Sequence, residues 1–146
     1  MGAGYARGRF TLLSLHLFAV LHRLTESGPQ APETARGLAQ KLADRFTADM
    51  DTVLRELGVS DLRVPKKVRG LAASGAAVMQ AYEEGLAGGE TALAGAIAGT
   101  LPLDETAARA AGGRLAPYVM AAVRHLEAQP LDDLSEGRLT FPDIEA

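Results

Sequence analysis

The sequence predicts an all-α fold: a single compact domain of about five to seven helices. Three observations carry this expectation. Of 146 residues, 27 are Ala and 21 are Leu, while Val and Ile together number ten, a balance that favours helices over strands. Apolar residues recur at three- and four-residue spacing, and no stretch alternates with period two. Gly- and Pro-rich turn signals cut the chain into pieces of helical length. The length suits one domain better than two, and a chain of this size buries roughly 70 % of its unfolded surface. A core can therefore form without cross-links. There is no Cys, which rules out disulfides, thiolate metal sites and Cys nucleophiles.

Each element has its own signal. Residues 1–8 read as a flexible N-terminus, followed by a helical domain over 9–143. The first helix runs from about Phe10 to Leu24, with Phe10, Leu13, Leu17, Leu21 and Leu24 on one stripe. Leu12, Leu15 and Phe18 widen that stripe until the helix is apolar on most sides, as a central helix is. Ser27-Gly28-Pro29 and Pro32 end it. The second helix spans about Glu33 to Leu57, with Leu38, Leu42, Phe46, Met50, Val53 and Leu57 in register and Gly58 placed to cap it. Phe46, mid-stripe, is expected in the core. Pro65 suits the first turn of a third helix, whose Val68, Leu71, Val78, Tyr82 and Leu86 face inward. Gly88-Gly89 separates a short fourth helix bearing Leu93, Ile97 and Leu101, which Pro102 closes. Asp104 then fits as the N-cap of a fifth, carrying Leu115, Tyr118, Val119, Ala122, Val123 and Leu126. Pro130 stops it, and a sixth turn at 131–136 and a tail finish the chain.

Charge is distributed in blocks. Residues 1–24 hold Arg7, Arg9 and Arg23 and no acid; residues 25–61 hold seven acids and four bases. Residues 62–70 carry Arg63, Lys66, Lys67 and Arg69 alone, and from 71 onward eleven acids face four bases. One basic island thus sits in a protein of net charge −3 with seven aromatics and no Trp, a poor composition for nucleic-acid binding. The apolar run Phe10–Leu21 contains His16, precedes no small-x-small cleavage site, and is short of the roughly 20 residues that cross a bilayer. The expectation is a cytoplasmic chain without signal peptide or transmembrane helix, with the first helix able to lie peripherally at a membrane surface.

Residues for catalysis are sparse. His16 and His22 lie about 600° apart around a helix and cannot share a metal on one face, and His125 is distant in sequence. The Ser residues occur in no nucleophile elbow or Ser-x-x-Lys setting, and Gly2-Ala3-Gly4 with Gly8 lacks dinucleotide-binding spacing. Asp49 and Asp51, two apart, point in different directions, whereas Arg45–Asp49 and Asp51–Arg55 form i,i+4 pairs of about 0.2–0.5 kcal/mol each. No enzyme, cofactor or metal is expected from these residues.

The informative stretch is Phe46–Gly70, FTADMDTVLRELGVSDLRVPKKVRG. Lys66 and Lys67 occupy the first turn of the third helix, where the macrodipole disfavours cations by about 0.3–1 kcal/mol each. Either they pair with nearby acids (Asp61, Glu56, Asp49), or they hold an acidic or anionic partner. Asp-Met-Asp, Leu-Arg-Glu-Leu-Gly-Val-Ser-Asp and Val-Pro-Lys-Lys-Val in this stretch resemble the ubiquinol–cytochrome c chaperone family. The resemblance extends to Leu15-His16-Leu17-Phe18 and Arg23-Leu24 upstream, and downstream to Ala81-Tyr82, Ala92-Leu93-Ala94, Gly137-Arg138 and Phe141-Pro142.

The resemblance implies an α-helical assembly factor of the cytochrome bc complex (respiratory complex III) that binds newly made cytochrome b. It places partner binding on Asp49, Asp51, Arg55, Glu56, Gly58, Asp61, Lys66 and Lys67, with peripheral contact to the inner membrane surface or the ribosome. The family commonly has an aromatic pair in the third helix where this chain has Gly75-Ala76. Gly70, Ser74, Ala77 and Ala81 form a strip of small residues on that helix, suited either to close packing or to a shallow groove for a client helix. Two other classes are a helical haem or small-ligand carrier using His16 or His22, and a nucleic-acid module using 63–69.

Overall fold

The computed structural model describes residues 3–26, 32–56, 64–101 and 103–143. Among these residues every regular element is a helix: α1 (Ala3–Thr25), α2 (Glu33–Glu56), α3 (Val64–Gly88), α4 (Glu90–Ala98), α5 (Glu105–Glu127) and α6 (Leu131–Ser135). Most boundaries follow local chemistry. Pro65 falls in the first turn of α3, where its missing N–H has no helical partner to lose. Gly89 turns the chain from α3 into α4 with φ 101°, a conformation that carries a steric cost for any side chain. Asp104 caps α5, its Oδ1 accepting from the Ala107 N–H at 2.9 Å. α1 departs from expectation: it begins at Ala3, extending into the segment 1–8 expected as a flexible terminus. An apolar stripe marks where a helix buries a face, and the backbone ladder continues beyond it once nucleated.

The main core joins four helices. Leu15, Phe18 and Ala19 of α1 meet Tyr82 of α3, Leu93 and Ile97 of α4, and Ala116, Val119, Ala122, Val123 and Leu126 of α5. A smaller cluster of Leu24, Ala35, Ala39 and Leu134 ties α1, α2 and α6 together. Two close helix contacts are made at glycines. A Cβ on Gly112 of α5 would stand 2.4 Å from the Ala94 carbonyl oxygen, and one on Gly85 of α3 would stand 2.9 Å from Leu93 Cα. These two glycines let α4 lie directly on both neighbours. Pro117 sits inside α5 on its exposed side, where the carbonyl it leaves unbonded, that of Gly113, belongs to a second exposed residue.

Two expected core assignments change. On α1 the buried face holds Thr11 and Ser14 beside Leu15 and Phe18, while Leu12 and Leu13 are 38 % and 51 % exposed. A helix apolar on most sides does not announce its inner face, and here the small Thr and Ser side chains are turned inward beside the core. Phe46 is half-buried on α2, and among the described residues it is a member of neither cluster.

The tail folds back on the bundle. Gln129 at the end of α5 donates from Nε2 to the Thr140 carbonyl at 2.9 Å and accepts at Oε1 from the Thr140 N–H at 2.9 Å. Phe141 then meets His16 edge-on, with ring centroids 4.9 Å apart.

Candidate partner-binding site

An open groove of about 980 Å³ lies between helices α1, α2 and α3. Its apolar surface comes from Phe18 and Leu21 of α1, Ala39 and Ala43 of α2, and Met79 of α3, while Glu33, Arg36 and Glu83 supply charge. Gly37 lines it at an exposed position, where a Cβ would meet nothing within 4 Å. Gly75 of α3 likewise faces open space.

The eight residues expected to bind a partner lie around the α2–α3 connection. Asp49, Asp51, Arg55 and Glu56 fall in the later turns of α2, and Lys66 and Lys67 in the first turn of α3. Gly58 and Asp61 lie outside the described residues. Asp49 is exposed and accepts from Arg45 Nε at 3.0 Å, the expected i,i+4 pair, of the kind that contributes little at a solvated surface. The side chains of Asp51, Arg55, Glu56, Lys66 and Lys67 lie outside the described residues, as do those of Gly70 and Ser74 in the small-residue strip. The rest of the strip, Ala77 and Ala81, is exposed and half-buried respectively.

All three histidines are engaged. His16 donates from Nδ1 to the Leu12 carbonyl at 2.7 Å, so its Nε2 accepts from the Tyr118 hydroxyl, also at 2.7 Å. Burial, reinforced by Asp143, raises the Tyr118 pKa and keeps that donor protonated. With both ring nitrogens committed, His16 has no lone pair to offer a haem iron. His22 points its Nδ1 at both oxygens of Glu83, 2.9 and 3.0 Å away, and His125 meets the Thr140 hydroxyl at 2.9 Å. Beside His22, Arg23 donates to the Leu126 and Gln129 carbonyls at 3.0 Å each, satisfying acceptors at the end of α5. Sequence reasoning missed the groove residues Arg36, Gly37, Met79 and Glu83. No local signal joins His22 to Glu83 across 61 residues.

A profile described as ubiquinol-cytochrome C chaperone matches residues 5–141. A solved structure titled "Crystal structure of the Cbp3 homolog from Brucella abortus" superposes with a TM-score of 0.79 at 32 % identity, covering 94 % of this chain and 74 % of that one. Among curated proteins there is no match.

Proposed function

This chain belongs to the ubiquinol–cytochrome c chaperone family, and we propose that its client is newly made cytochrome b, held until it joins the ubiquinol–cytochrome c reductase complex. The observation that carries this reading is the groove between α1, α2 and α3. Its lining combines apolar side chains with charged ones, which suits an apolar client segment that needs orientation as well as cover. The second part of the proposed surface is the charged motif of Asp49, Asp51, Arg55, Glu56, Gly58, Asp61, Lys66 and Lys67. Cations at the start of α3 oppose the helix dipole, so their presence favours a contact role over a stabilising one. Holding and release need no bond to be made or broken, and no enzyme activity is part of this reading. No described helix is long and apolar enough to cross a membrane. Meeting a membrane-protein client at the inner membrane surface, or at the ribosome that makes it, is part of the same proposal.

The test is the double substitution Lys66→Glu with Lys67→Glu. Acids suit that helix end, so the fold and its unfolding midpoint are expected to hold. Capture of cytochrome b in a pull-down and the level of assembled cytochrome b in the native host should both fall. A stable variant with full capture and full assembly overturns the contact role. A variant that loses stability first, and capture only with it, assigns the lysines to structural pairing instead.

A further inference from the structure

Behind the groove, on the side facing the end of α5, a second group of side chains converges. His22 and Glu26, one helical turn apart on α1, and Glu127 at the end of α5 each bring one ligand atom within 4.8 Å of the others. Glu83 of α3 meets the same imidazole, its two oxygens 2.9 and 3.0 Å from His22 Nδ1. A ring proton held on Nδ1 by a carboxylate leaves the Nε2 lone pair outward and fixes the ring's orientation, the outer-sphere arrangement that metal-binding histidines use. The His22 side chain is only 19 % exposed, so its ring is held by its surroundings.

We propose that His22, Glu26 and Glu127 form a site for a divalent transition-metal ion of the zinc type, with Glu83 orienting the histidine. One imidazole nitrogen and two carboxylate oxygens, with water in a fourth position, are a donor set that Zn²⁺ accepts. Bonds of about 2.0–2.2 Å bring neighbouring ligands about 3.4 Å apart, a closure within the rotamer freedom of two exposed glutamates. Arg23 is the competing cation, donating to Glu26 at 3.0 Å. It also holds the Leu126 and Gln129 carbonyls, so it keeps partners when Glu26 turns to the metal. Three carboxylates, of Glu26, Glu83 and Glu127, stand near the imidazole, which favours a divalent guest. The bound ion would fasten the end of α1 to the end of α5 and, through Glu83, steady one wall of the groove.

The experiment is calorimetric titration of the metal-stripped full chain with Zn²⁺, paired with Co²⁺ as an absorbing substitute. One equivalent of Zn²⁺ is expected to bind and raise the unfolding midpoint, with a chelator reversing the rise, and Co²⁺ should give the visible bands of a low-coordinate site. Glu127→Gln, at an exposed position, should weaken binding at least tenfold and keep the fold. Glu83→Gln should weaken it about 10- to 100-fold at unchanged stoichiometry, as loss of an outer-sphere partner does. His22→Ala should abolish the Co²⁺ bands. Absence of saturable binding, or binding that survives both Glu127→Gln and His22→Ala and so belongs to other groups, overturns the site.

Discussion

The α4–α5 junction and the α1–α2–α3 groove each hold a glycine within a helix, yet one glycine is closed in and the other open. At the junction, Gly112 faces a neighbouring backbone so closely that a methyl group would stand 2.4 Å from the Ala94 carbonyl oxygen. In the groove, Gly37 faces nothing within 4 Å. Glycine therefore stands in opposite settings in the two regions: against a neighbouring helix in one and beside open space in the other. The closed region supplies the core, with Tyr82, Leu93, Ile97, Ala116 and Leu126 all fully buried. The open region supplies a surface that the described residues leave uncovered. A chaperone for an apolar segment needs both, because a groove without a rigid support would collapse on its own side chains.

The comparison breaks most severely at Phe18, which belongs to both regions: it is 1 % exposed in the main core and also lines the groove. Phe18→Ala is expected to cost about 3–5 kcal/mol. Phe46→Ala, at a half-buried position on α2, should cost clearly less. Chemical unfolding of the two variants side by side checks this. Equal losses would show that the groove-side helix is as tightly held as the core.

Gly112→Ala comes next. Overpacking of a close helix contact costs about 1–3 kcal/mol, and here the atom met is a backbone oxygen, which cannot swing aside. The variant should unfold at a lower midpoint, with α4 displaced from α5. An unchanged midpoint would mean that α4 is not locked to α5 by this contact.

Tyr82 tests the closed region through pH. The Thr100 hydroxyl donates to the Ile97 carbonyl at 2.8 Å, so the Tyr82 hydroxyl donates to Thr100 at 3.0 Å. Burial raises the Tyr82 pKa above the ordinary 10.0. A raised folded pKa means that the unfolded chain releases this proton first as pH climbs. The stability is complete below about pH 10 and is lost as pH rises from there through the folded value. Tyr82→Phe should cost about 0.5–1.5 kcal/mol near neutrality and flatten the alkaline decline, read from denaturant midpoints across pH 8–11. A decline of unchanged slope would assign it to other groups, Tyr118 first.

Much of the architecture was legible in advance because it rests on local chemistry. Asp104 announces a cap, Gly88-Gly89 a break and Pro65 a helix start, each interpretable within a few residues. The inner face of α1 was not legible, since Leu12 and Leu13 are as apolar as Leu15, and only the neighbouring helices decide between them. Gly85 and Gly112 were silent for a related reason: a glycine in a helix looks like a weakness until another helix lies on it. The candidate site was legible only as a charge anomaly at Lys66 and Lys67 and as a family resemblance. The groove is lined from three helices distant in sequence, and the Glu83–His22 contact spans 61 residues; neither leaves a mark in any local window of sequence.

The smallest expected effect sharpens the comparison from the open side. Gly37→Ala places a methyl group where nothing lies within 4 Å, so there is no steric charge against it. In a helix interior Ala is more favourable than Gly by about 0.8–1.0 kcal/mol, mostly because the unfolded chain loses conformational freedom. The variant should therefore be stabilised by up to about 1 kcal/mol, the reverse of Gly112→Ala, and its thermal midpoint should rise by a few degrees. Yet the methyl group enters the groove at a position beside Arg36 and Gln40, in space proposed for the client. A protein that becomes more stable while capturing less cytochrome b would show that this glycine is kept for the space it leaves. A stabilised protein with unchanged capture would move the client contact away from Gly37, toward the α1 and α3 walls of the groove or the charged motif beyond it.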